Sequence, residues 1–129
     1  MIAVDTSALV AVVLGESDAE RFLVAMSADD AAVATVSVVE AAIVVEARQG
    51  PDAARDLQLL IDGAIERVVP VEQEHAAAAV AAWRRFGKGR HPAGLNFGDC
   101  FAYALADVEG LPLLYKGDDF GQTDIAAVL

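Results

Sequence analysis

The stretch MIAVDTSALVAVVLGE, residues 1–16, decides the fold. Ile2 to Asp5 is a short apolar run that ends in an acid, which reads as a buried strand. Thr6 and Ser7 then offer helix-capping oxygens, and Ala8 to Leu14 continues as helix until Gly15. A buried strand that runs straight into a helix opens a βα unit, here with a carboxylate at the turn.

Working outward, the same alternation recurs. Ser17 and Glu20 stand at capping-box spacing and open a helix with Phe22, Leu23 and Met26 on its inner face. Ala31 to Thr35 is a second apolar strand. Ser37 and Glu40 repeat the capping-box spacing at the head of SVVEAAIVVEARQG, a helix apolar enough to read as buried nearly all round. Gly50 stops it, and Pro51 starts an amphipathic helix with Leu57, Leu60, Ile61 and Ile65 inward. Val68 to Val71 is a third strand, whose Pro70 points to an edge or a strand end. An Ala-rich helix over 72–86 and a Gly-rich loop over 87–98 follow. A helix then starts at Asn96 or Gly98, Leu111 to Tyr115 is a fourth strand, and Lys116 to Phe120 turns into a last short element. The order β-α-α-β-α-α-β-α-α-β predicts one α/β domain over residues 1–129. Its layers are α/β/α around a parallel central sheet of four to five strands.

Composition narrows the class. Hydrophobic residues make up 56% of the chain, which excludes intrinsic disorder, and 27 alanines favour helix. The single Cys100 forbids an internal disulfide and fits a reducing compartment. The apolar start lacks the basic flank of a secretory signal, and the uncharged run from Thr6 to Gly15 is too short to span a bilayer. The expectation is a soluble cytoplasmic protein with no membrane partner. A net charge of −11 speaks against a general nucleic-acid coat, because phosphates repel such a surface. Even so, Arg84, Arg85, Lys88 and Arg90 fall close together beside His91. They read either as cations solvating a helix end or as a local phosphate-binding patch.

Parallel α/β sheets bind ligands beyond the carboxyl ends of their strands. Asp5 ends the first strand, Glu40 lies in the helix after the second, Asp99 opens the helix before the last, and Asp118 and Asp119 follow the last. Each has a local structural reading. Asp5 can cap a helix, Glu40 and Asp99 can close capping boxes with Ser37 and Asn96, and Asp118 and Asp119 can sit in a turn. Gathered at one sheet edge, however, such carboxylates repel one another and raise their pKa values. A divalent cation removes that cost, and hard oxygen ligands select Mg²⁺ or Mn²⁺. His75 and His91 lie on separate segments, Cys100 reads as a core residue, and no serine-nucleophile or phosphate-loop motif is present.

VDTSALVAV at the start, SVVEAA in the middle, GLNFGDCFAYALA later and LPLLYKGDDF near the end together resemble the PIN-domain ribonucleases. More narrowly, they resemble the VapC toxins of bacterial toxin–antitoxin operons. The resemblance spans essentially the whole chain in the family's motif order. It implies an endoribonuclease that depends on Mg²⁺, with Mn²⁺ as an alternative ion. Its first three acids match Asp5, Glu40 and Asp99. The fourth matches Asp118 or Asp119, because this chain reads G-D-D-F where many members read G-D-x-D-F. Thr6 and Ser7 match small hydroxyl residues that the resemblance implies hold a water beside the ion. Arg84, Arg85, Lys88, Arg90 and Lys116 would then offset the repulsion between RNA and the acids. The resemblance also implies a cognate antitoxin of VapB type, which covers the site, and a homodimer. Val10, Val13, Leu14 and Phe22 on the first two helices offer a surface for either contact, but most of them read as core. Two other readings stand beside this one. One is a catalytically silent binding protein of the same fold. The other is a receiver-type phosphoacceptor domain, against which the mid-chain acids Asp56 and Asp62 count, since they fall in an amphipathic helix.

Overall fold

A computed structural model describes all residues 1–129. Strand β1 (Ile2–Val4) leads into helices α1 (Thr6–Val13) and α2 (Ala19–Ala28), and β2 (Ala31–Ala34) into α3 (Thr35–Gln49) and α4 (Pro51–Ala64). Strand β3 (Arg67–Val69) precedes α5 (Gln73–Phe86) and α6 (Phe97–Glu109), and β4 (Leu113–Leu114) precedes a 3-10 turn over Phe120–Gln122. No helix is long and apolar enough to cross a membrane.

The four strands are parallel and lie in the order β3-β2-β1-β4. The tail adds one further rung, a parallel bridge from Leu113 to Ala127. β1 and β2 are buried on both faces, as parallel strands between helical layers must be. Alternation splits their side chains between two cores. Ala3, Ala32 and Ala34 face α5 and α6, and their small size lets Ala102, Leu105 and Ala106 of α6 close on the sheet. Ile2, Val4, Ala31 and Val33 face α1 to α4, where Leu9, Phe22, Met26, Val45, Leu57 and Ile61 fill the space. This is the expected three-layer architecture.

Several local expectations are corrected. Asp5, not Thr6 or Ser7, caps α1, because its carboxylate accepts the Ser7 amide. The Ser17–Glu20 capping box does not form, since Asp18 occupies the cap position of α2 without a side-chain bond. Nor does the Ser37–Glu40 box: β2 runs directly into α3 at Thr35, which leaves Ser37 inside the helix and fully buried. α3 is not buried all round, because Val39 is 59% and Ile43 64% exposed. Leu23 turns outward from α2. β4 is shorter than the apolar run 111–115, and β3 stops before Pro70, at the sheet edge where a missing N–H costs nothing. Asp56 and Asp62 lie exposed along α4, away from any strand end.

Candidate active site

Connections leave β1 toward β2 and β3 on one side, and β4 is added on the other. The carboxyl end of β1 is therefore the switch point of the sheet, where open α/β folds leave a crevice. Asp5 occupies that end and is only 3% exposed. Its Oδ2 accepts hydrogen bonds from the Ser7 amide (3.0 Å) and the Ser7 hydroxyl (2.6 Å). The Ser7 hydroxyl in turn accepts from the Lys116 amide (2.9 Å), tying the segment after β4 to the turn after β1. Asp5 Oδ1 is buried and has no partner.

Glu40 reaches the same crevice from the second turn of α3. Thr6 Oγ1 donates to its Oε1 at 2.6 Å. Its carboxylate lies against the Cα of Gly98, where any Cβ would overlap it. Asp99 arrives from the first turn of α6. There it forms the capping box expected from its spacing: Asn96 Oδ1 accepts from the Asp99 amide (2.8 Å), and Asp99 Oδ2 accepts from the Asn96 amide (3.0 Å). The capping role and a role in the crevice thus coexist in one side chain.

A cleft of about 360 Å³ joins these groups, lined by Asp5, Thr6, Ser7, Glu40, Asp99 and Lys116 among others. Its electrostatics are those of uncompensated acids. Burial pushes the Asp5 carboxyl up to about 6, against the lowering pull of its bonds from Ser7, and the charge of Glu40 adds to the rise. Burial likewise lifts Asp99 to about 7; the Asn96 amide opposes this, while the charges of Asp5, Asp119 and Glu40 reinforce it.

Asp118 and Asp119 are both exposed, and neither lines the cleft. They are not equivalent, because the Asp119 charge is among the main influences that raise Asp99. The hydroxyls of Thr6 and Ser7 donate to Glu40 and Asp5 and so orient those carboxylates. Of the five expected RNA-contacting cations, only Lys116 lines the cleft, and its ammonium is paired with Glu16 (2.9 Å) and Asp18 (3.2 Å). Arg85 pairs with Asp124, and Arg90 stacks on Trp83 with its guanidinium 4.4 Å from the ring. Lys88 borders an apolar pocket with Trp83 and Phe97, and Arg84 is exposed on α5. Cys100 is buried, and His75 closes the start of α5 by accepting from the Glu72 amide. Sequence reasoning missed Gly98, Glu16, Asp18 and Arg48, which also lines the cleft. For Gly98 a signal existed: glycine inside a helix costs about 1 kcal/mol against alanine, so it asks for a reason.

Acids set around the switch point of a small parallel α/β/α sheet are the arrangement expected from the resemblance to PIN domains. The family model for that domain matches residues 2–126, and the chain belongs to the PIN-domain family. Within it the chain belongs with the VapC ribonucleases. It is 52% identical over 126 residues to ribonuclease VapC30 of Mycobacterium tuberculosis, covering 97% of this chain and 96% of that protein. It is 51% identical over 126 residues to ribonuclease VapC of Mycolicibacterium smegmatis, covering 97% and 98%. In fold it is similar to the crystal structure of Mycobacterium tuberculosis VapC20, a sarcin–ricin loop cleaving toxin. The TM-score there is 0.81 at 17% identity, over 99% of this chain and 98% of that one. A toxin–antitoxin complex from Klebsiella pneumoniae gives 0.70 at 17% identity, over 96% and 93%.

Proposed function

We propose that this chain is the toxin of a type II toxin–antitoxin pair, an endoribonuclease that hydrolyses RNA phosphodiesters at a carboxylate-held Mg²⁺ or Mn²⁺. The observation that carries the reading is the buried, unpartnered Oδ1 of Asp5 beside two further carboxylates. A buried acceptor without a donor calls for a cation. No group of three acidic, His or Cys side chains is closed tightly enough here to grip an ion unaided. The donor set nevertheless fits one, being all oxygen, with Asp5 and Asp99 lifted above their ordinary range chiefly by burial and further by neighbouring acidic charges.

Asp5 and Asp99 would hold the ion, with Glu40 and Asp119 completing its shell. Asp119 is preferred to Asp118 as the fourth acid, since its charge is among the main influences on Asp99. When bound, the ion supplies a Lewis acid for the phosphate and lowers the pKa of water. The chain's own work is positional. Ser7 fixes Asp5, Thr6 fixes Glu40, and the Asn96–Asp99 box fixes Asp99. Arg84, Arg85, Lys88 and Arg90 would meet RNA only beyond the cleft. An acidic cleft with a spare buried acceptor also suits a basic side chain of an antitoxin. Work on RNA would put the protein in the cytoplasm. The second partner is another copy of this chain, seated on the apolar face of Val39, Ile43 and Phe97, which borders the cleft at Glu40. Sedimentation equilibrium is expected to give a dimer, and Phe97→Glu a monomer; a monomeric wild type refutes this assignment.

Metal and proton compete for the same oxygens, which fixes a sign. Asp5 and Asp99 keep their protons to higher pH when folded than when unfolded. Their contribution to stability is fully present below the unfolded value near 3.8 and is lost as pH rises through about 6 and 7. Millimolar Mg²⁺ or Mn²⁺ is therefore expected to raise Tm by several degrees at pH 7.5 and far less at pH 5. Thermal melts at the two pH values check this. An equal shift at both, or none at pH 7.5, counts against the site.

A further inference from the structure

The five cations expected to meet RNA leave the cleft with a single representative, Lys116, whose charge is spent on Glu16 and Asp18. A sixth cation lines the same cleft. Arg48 sits in the last turn of α3, two helical turns beyond Glu40, and Val44 lies between them. Positions 40, 44 and 48 share one face of a helix by their four-residue spacing. All three line the wall of the cleft.

The guanidinium of Arg48 is exposed and makes no ion pair or hydrogen bond. Arg55, Arg67 and Arg85, by contrast, are engaged with Asp52, Glu109 and Asp124. Arg21, Arg84 and Arg90 make no ion pair either, but none of them lines this cleft, so Arg48 is the arginine free to meet a ligand there. Eight residues of helix place it about 12 Å along the axis from Glu40. That is too far to share an ion with the carboxylates, yet on the same wall of the same groove. Guanidinium forks match phosphate oxygens in a bidentate geometry.

We propose that Arg48 is the phosphate-holding residue of the cleft, gripping the RNA backbone on the flank of the scissile bond. It positions the strand and takes no part in the chemistry. The proposal rests on the ribonuclease reading, and its test separates the two. Binding of a fluorescent mixed-sequence RNA 20-mer is followed by anisotropy in the Asp99→Asn background, with and without Arg48→Ala, from 50 to 300 mM salt. Cleavage of total bacterial RNA is followed in parallel for wild type and Arg48→Ala with Mg²⁺.

Arg48→Ala is expected to weaken binding about five- to tenfold and to reduce the log–log salt slope by about one, as loss of one phosphate contact should. Arg48→Lys, which keeps the charge, is expected to restore the slope. In cleavage the apparent KM should rise while kcat stays within about twofold. A wild type that does not cleave but binds RNA through Arg48 would sink the ribonuclease reading and leave this proposal standing. Unchanged affinity and slope in Arg48→Ala overturn the proposal itself.

Discussion

Asp99→Asn should abolish RNA cleavage while leaving the protein folded, with an unchanged or higher melting temperature at pH 7.5 in the absence of metal. The capping role survives, because an asparagine oxygen still accepts from the Asn96 amide and the Asn96 side chain still accepts from the residue 99 amide. The charge does not survive. With it goes the repulsion between Asp99 and the charges of Asp5, Asp119 and Glu40. A bound ion contributes several kcal/mol of transition-state stabilisation, and each 1.36 kcal/mol is a factor of ten in rate. Loss of a ligand is therefore expected to cost about a thousandfold. Asp5→Asn should behave alike, since asparagine caps a helix as well as aspartate does. Asp5→Ala also loses the cap of α1, at about 1 kcal/mol, and so mixes two effects. Single-turnover cleavage and thermal melts decide the matter. A variant that keeps cleavage within tenfold of wild type removes Asp99 from the site, and one that unfolds makes it a cap and nothing more.

The sheet was readable because parallel strands must be apolar on both faces, and the runs at 2–4 and 31–34 leave no other choice. Asp5 and Asp99 were readable for a related reason: the topology carries strand ends and helix starts to one edge. Contacts across the chain were not. Glu40 and Ser37 have a true capping-box spacing, but Glu40 bonds to Thr6, far away in sequence, because α3 had already begun at Thr35. The apolar sequence of α3 names no outer face, so nothing local shows that Val39 and Ile43 are exposed. The clustered cations at 84–90 are neighbours in sequence only. Arg85 reaches Asp124 and Arg90 turns back on Trp83, while the cleft takes its free cation from position 48. Between Asp118 and Asp119 the choice turns on which carboxylate the turn into the 3-10 segment directs toward Asp99, a matter of backbone course rather than residue type.

Gly98→Ala should lower cleavage about a hundredfold with little loss of stability. Gly98 lies in the first turn of α6 and does not have a positive φ, so its backbone makes no demand for glycine. By helix propensity alone, alanine would stabilise α6 by about 1 kcal/mol. The demand comes from across the cleft. A Cβ at position 98 would stand 2.6 Å from Glu40 Cδ, inside van der Waals contact. The carboxylate is the free end of a flexible side chain, so it can swing away cheaply. Swinging away breaks its bond from Thr6 Oγ1 and withdraws the second acid from the cleft. The gain in helix propensity and the displaced carboxylate then offset each other in the melting temperature, while the rate carries the whole loss. Glu40→Ala supplies the control. In that background the overlap is gone, so adding Gly98→Ala should raise Tm and leave the residual rate unchanged. A Gly98→Ala variant as active as wild type would show that Glu40 does not need its observed position, and with that the second acid would leave the site.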